Sequence, residues 1–240
     1  MKGFTAILER DIRLFLADKI LLIMAFVNFC IDLFVTGITL GNLVQGFNYF
    51  LYLAPGSNMI TATVAAFQAG RWVFREKHIL KTKQYLTSLP VSRDVFVLAR
   101  ITAWTVRCLL TALPGTFVIC LLYSVPTAFL TAALLTALFS IGVVGISVSI
   151  ATIAGSLEAY ATGRTLTSMY FSFLSTTFYP VTSLPTVLWP IVQTNPMSWA
   201  VGAFRSLPSG VSLQSLLSLA VVSSIFTLLG ALLYRRSLEG

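Results

Sequence analysis

Charge is scarce in this chain, and acidic charge is scarcest: eight Asp and Glu stand against 16 Lys and Arg, and all four types together make up only 10% of 240 residues. With 57% hydrophobic residues, a soluble domain would have to leave large apolar surfaces in water, so lipid is the solvent that fits. Cysteine is nearly absent. Cys30, Cys108 and Cys120 lie inside apolar stretches without metal or disulfide spacing, which makes them small core residues. The one histidine, His78, has no neighbours suited to metal or nucleophile chemistry. There is no G-x-x-x-x-G-K-[ST] loop, and the polar segments are too short to house a nucleotide-binding domain. His-Glu and paired-carboxylate constellations are missing too, which argues against an intramembrane protease or a di-metal enzyme. The first 19 residues are too charged for the apolar core of a cleaved leader, and no internal repeat recurs at a fixed period.

What the chain has is long apolar runs, at 20–44, 49–74, 95–123, 127–155, 166–178 and 213–234. Most meet the requirement of about 20 apolar residues for a helix to cross a hydrocarbon core of roughly 30 Å. The fifth, broken by prolines, does not meet it cleanly. The expected fold is all-α and polytopic, a single membrane domain over 1–240 with six transmembrane helices. Positive charge falls in alternate gaps. Seven of the 16 basic residues, Arg71, Arg75, Lys77, Lys81, Lys83, Arg93 and Arg100, sit in or beside the gap between the second and third runs. The gaps at 45–48 and 124–126 carry none. By the positive-inside rule, both termini and the 71–100 gap are expected in the cytoplasm of a plasma-membrane protein. The net charge of +8 thus follows topology, with no nucleic-acid partner expected.

Residues 1–19 form an expected interfacial helix. Phe4, Ile7, Leu8, Ile12 and Phe15 share one side of a helical wheel and Glu9, Arg10 and Arg13 the other. Asp11 falls on the apolar side, as it would if that side met protein as well as lipid. The 71–94 region is the longest polar insertion; a short charged helix at its centre, ended by Pro90, suits docking of a partner. Between 178 and 208, Pro180, Pro185, Pro190 and Pro196 forbid a continuous helix, yet the stretch stays apolar. An outer re-entrant hairpin packed against protein satisfies both facts. Small residues in the second run (Ala62, Ala65, Ala66, Ala69, Gly70) and the fourth (Gly142, Gly145, Ser147, Ser149) allow close helix packing.

Two charges lie deep in apolar runs. Asp32 is 13 residues past Lys19 and Arg107 is 13 past Asp94, which puts both roughly 20 Å from the same membrane face. They are expected either to pair and lock the first run to the third, or to line a polar path.

Three stretches resemble the type-2 ABC exporter permeases. They are Tyr52-Leu-Ala-Pro-Gly56; Val73-Phe-Arg-Glu-Lys77 followed by Leu89-Pro-Val-Ser-Arg93; and Leu184-Pro185 followed by Asn195-Pro-Met-Ser-Trp-Ala-Val-Gly-Ala-Phe-Arg205. Their order, their spacing and the six-run layout are similar to the family along essentially the whole chain. The resemblance implies a homodimer of permeases exporting an amphipathic drug, lipid or lipid-linked glycan. No cofactor would be bound here; ATP and Mg would act through a separate ABC ATPase. Coupling to that ATPase would fall on Arg75, Glu76, Lys77, Lys81, Thr82, Lys83, Gln84 and Arg93. Here Lys81-Thr82-Lys83-Gln84 stands where the family usually has Gly-Thr-Leu-Glu. The interface helix would carry Glu9, Arg10, Asp11 and Arg13. The outer gate would be built on Pro180, Pro185, Pro190, Asn195 and Pro196. Two other classes fit the residues: a membrane anchor that assembles a partner, and an ion-coupled secondary transporter centred on Asp32.

Overall fold

The computed structural model describes residues 2–17, 19–42, 46–79 and 91–239, and among these the regular structure is helical. Helix α1 (Lys2–Ala17) is followed by α2 (Lys19–Ile31), a π-helical turn (Asp32–Thr36) and α3 (Gly37–Gly41). Next come α4 (Tyr49–Phe74), which runs into a second π turn (Arg75–Ile79), α5 (Arg93–Leu122) and α6 (Phe129–Ile153). Helix α7 (Leu157–Phe173), two short helices α8 (Trp189–Thr194) and α9 (Pro196–Arg205), and α10 (Leu213–Glu239) complete the chain.

Five of the described helices are long and apolar enough to cross a membrane: Leu22–Gly41, Tyr49–Ile79, Arg93–Leu122, Pro126–Ile153 and Leu213–Leu238. Their limits follow five of the six apolar runs within a few residues. The fifth run behaves differently. Helix α7 has 17 residues, Leu157–Phe173, short of the span requirement; capped by Ser156 well before the apolar run, it takes in the polar Glu158 and Arg164 and ends before the run does.

The centre of the bundle is α4. Asn48 starts it, its side chain accepting from the Leu51 amide at 3.2 Å, which satisfies one of the donors a helix start leaves open. The small residues then set how closely its neighbours approach. The Gly70 amide donates to Ser147 Oγ on α6 at 3.0 Å, and a Cβ at Gly70 would collide with Ser147. On the far side of α6, Gly145 meets the backbone of α10 at Phe226 and Gly230 meets the Gly145 carbonyl, with no room for a side chain at either position. This is close packing through small residues, without a GxxxG spacing. Cys108 and Cys120 are fully buried, as small core residues.

Helix α1 packs against protein. Its apolar side follows the first half of α5 in the same direction, with Gly3 against Val91, Asp11 beside Arg100, and Phe15 beneath the Arg107 guanidinium. Ile7 and Phe15 are buried there, while Glu9, Arg10 and Arg13 stay exposed.

Candidate functional site

Both ends of the bundle are organised around an arginine, and an open stripe of α4 lies between them. At the basic end, Arg100 enters α5 two turns past Arg93, too deep to reach bulk water, and is 3% exposed. Its Nη2 donates to both Glu76 carboxylate oxygens at 2.8 Å, and its Nε lies 3.4 Å from Asp11 Oδ2. The guanidinium also stands 4.7 Å from the Trp104 ring centre. Asp11, the exception on the helical wheel, is therefore the residue that ties α1 to the core. A buried charge needs such partners, and removing one typically costs about 3–5 kcal/mol.

Other expected coupling residues lace the same end. Lys77 Nζ donates to the Thr152 carbonyl at the end of α6 (2.8 Å), Arg75 lies over the Trp72 ring, and Arg93 opens α5. Arg235 pairs with Asp94 at 3.0 Å, joining α10 to α5. His78 stacks on Phe74, which stacks on Tyr160. On α1, Glu9 and Arg13 form an exposed pair one turn apart, and Arg10 meets Asp11 at 3.2 Å. Lys81, Thr82, Lys83 and Gln84 lie outside the described residues.

At the opposite end each proline begins a new turn. Pro180 and Pro185 precede the 3-10 turns Val181–Ser183 and Thr186–Leu188, Pro190 is the second residue of α8, and Pro196 is the first of α9. A missing N–H is tolerated at such positions. Asn195 is fully buried and works in two directions. Its Oδ1 accepts from the Met197 amide (2.9 Å), capping α9, while its Nδ2 donates to the carbonyls of Tyr170 (2.9 Å) and Leu174 (2.7 Å) at the end of α7. Arg205 donates to the carbonyls of Tyr52, Thr176 and Thr177 over 2.9–3.3 Å and lies against the Tyr52 ring. Burial pushes the Arg205 guanidinium pKa below its ordinary value.

Residues Ile60, Val64, Gln68 and Trp72, each four apart, form the one strip of α4 that neighbours leave partly open, with Val64 44% and Trp72 40% exposed. Three cavities meet along it. The first, about 280 Å³, is lined by the Asp11–Arg100–Glu76 cluster together with Arg107, Arg71 and Gln68. The second, about 400 Å³, shares Gln68 and reaches Asp32. The third, about 330 Å³, shares Val64 with the second and is lined from α7 by Arg164, Ser168 and Ser172. Asp32 and Arg107, equal in depth by sequence, thus line different cavities.

A profile of the ABC-2 type transporter family matches residues 2–207, from the first residues of α1 to the end of α9. The chain belongs to the ABC-2 type transporter family. No curated protein matches it. Membership makes the chain a multi-pass membrane permease, the transmembrane component of an ABC-2 type transporter, a kind of subunit that is generally non-catalytic. Within the permease, the residues that sequence reasoning missed are Arg100, Trp104, Gln68 and Arg205 as anchors or liners. The odd placement of Asp11, on the apolar side and seeking a cation, was the available signal for Arg100.

Proposed function

We propose that this permease exports an amphipathic drug, lipid or lipid-linked glycan from the cytoplasm, driven by ATP hydrolysed on a separate ABC ATPase. In this scheme the basic end faces the cytoplasm, both termini lie there, and two copies of the chain assemble in the plasma membrane. The observation that carries the scheme is the run of three cavities along α4, which begins at the Asp11–Arg100–Glu76 cluster. A path and a linkage to the docking side share walls.

The mechanism follows from which elements the cluster joins. Closure of the ATPase dimer displaces the segment that follows Arg75–Ile79. Glu76 transmits that displacement to Arg100 on α5 and, through Arg100, to Asp11 on α1. The three elements bordering the first cavity then move together, so access to the α4 stripe changes from one side of the membrane to the other. ATP and Mg are handled by the partner; this chain supplies the path, the docking surface and the transmission. The proline-rich segment serves as the outer gate, as a re-entrant hairpin pinned by Asn195 and Arg205.

Co-reconstitution with the ATPase tests the scheme. Glu76→Ala is expected to retain membrane insertion and ATP hydrolysis while export into vesicles falls by about tenfold, the effect of one lost charge-assisted contact. Export at the parental rate would remove Glu76 from transmission. A chain that recruits the ATPase yet moves no amphiphile would instead be a membrane anchor.

A further inference from the structure

The second cavity contains a carboxylate that the protein itself does not answer. Asp32 is half-buried on the α2 side of a space of about 400 Å³ facing α4 and α5. Among the described residues no hydrogen bond or ion pair holds its carboxylate, and no Lys, Arg or His lines the cavity. The two threonines that line it present acceptors to a ligand. Thr61 and Thr111 donate their hydroxyl protons to the carbonyls of Ser57 and Arg107 within their own helices (3.0 and 2.8 Å), so only oxygen lone pairs remain for a ligand. Asn28, one turn before Asp32, and Gln68 across the cavity contribute side-chain amides, each able to turn its oxygen toward a cation. Met24, Ala25, Ile60 and Val64 make the remaining wall apolar.

The backbone at this point is also irregular. The helix widens into a π turn that begins at Asp32 and runs to Thr36, after which the Gly37 amide is shared between the Leu33 and Phe34 carbonyls. Single π turns inside helices are frequent at functional sites. An ionised carboxylate deep in a span is costly and calls for a counter-charge. Here a pocket with a carboxylate, two hydroxyl acceptors and apolar walls suits a ligand that brings one.

We propose that the Asp32 cavity binds the positively charged head of a lipophilic cation, an amine or quaternary onium amphiphile, which makes such cations a substrate class of this permease. The assignment rests on the transport reading above. Asp32 supplies the counter-charge, Thr61 and Thr111 supply oxygen acceptors, Asn28 and Gln68 turn their amide oxygens to the cation, and the apolar wall takes the ligand's hydrocarbon. The cavity adjoins the first one at Gln68 and the third at Val64, so a cation held here borders both.

The test uses the full chain in detergent and equilibrium dialysis with tetraphenylphosphonium, alongside tetraphenylborate, which has the same shape and the opposite charge. The phosphonium is expected to bind and the borate not to bind at matched concentration. Asp32→Asn should weaken phosphonium binding by about tenfold or more, the size of one lost charge-assisted contact, and Asp32→Glu should restore most of it. Ala25→Phe keeps the carboxylate but fills the cavity, and it should abolish binding even if Asp32→Asn proves hard to fold. Equal binding of both ions, or phosphonium binding indifferent to Asp32→Asn and Ala25→Phe, overturns the site. If ATP-driven export of neutral amphiphiles persists while phosphonium fails to bind, the cation site alone falls. If phosphonium binds but no amphiphile moves with the ATPase present, the transport reading falls and the site stands.

Discussion

Arg100, buried, and Arg205, partly buried, stand at opposite ends of one bundle and are satisfied in opposite ways. Arg100 is held by the charged groups of Glu76 and Asp11, which belong to two other helical elements. Arg205 is held by backbone carbonyls of Tyr52, Thr176 and Thr177. A carbonyl is fixed in its chain, so Arg205 locks the path of the 174–178 turn against the start of α4. A carboxylate sits on rotatable bonds and can keep its contact while its helix shifts. The difference separates a pin from a joint: one arginine is fixed by backbone, the other by side chains that can follow a moving helix.

The sharpest way to break the comparison is to remove the cation from the joint. Arg100→Met leaves two largely enclosed carboxylates without their shared cation and is expected to cost about 3–5 kcal/mol, read as a lowered midpoint of thermal unfolding in detergent. Adding Glu76→Gln should recover part of that loss, so the pair is non-additive. Additivity would mean that Arg100 and Glu76 do not work as one unit.

A smaller effect is expected at the pin. Arg205→Lys keeps the charge but loses the planar fork that reaches three carbonyls at once, for about 2–3 kcal/mol, in the range of one or two hydrogen bonds to a charged group. Because the two arginines lie at opposite ends, this change should add to Arg100→Met within about 0.5 kcal/mol. Strong coupling between them would refute the division into pin and joint. The smallest effect is expected from Glu9→Gln, which removes an exposed one-turn pair with Arg13. A change of under about 0.5 kcal/mol is expected there, and a larger one would extend the joint onto the outer face of α1.

Much of this was legible in the sequence for physical reasons. Hydropathy located five spans to within a few residues, because a helix that must satisfy its backbone in lipid leaves a long unbroken run. Small residues on the second and fourth runs marked the close contacts at Gly70 and Gly145. Residue spacing gave the depth of Asp32 and Arg107 but not their direction around the helix axis, and they line separate cavities. Arg100 was hidden among topology-setting basic residues, since charge counting treats a buried arginine and a solvated one alike. The fifth run misled because its helix starts in a polar stretch that hydropathy discards, at Leu157. The Asn195–Pro196 pair was visible as a motif, but its double capping role depends on the carbonyl end of α7, which lies some twenty residues earlier in the chain.

The Gly145–Gly230 contact also limits how the protein can change shape. Where two helices touch backbone to backbone, no side-chain layer lies between them for one to slide over, so α6 and α10 behave as a single plank. Any change of shape that keeps this contact moves α6 and α10 together. The only two described π turns, at Asp32–Thr36 and Arg75–Ile79, lie outside the plank, where the first apolar run bends and where α4 ends.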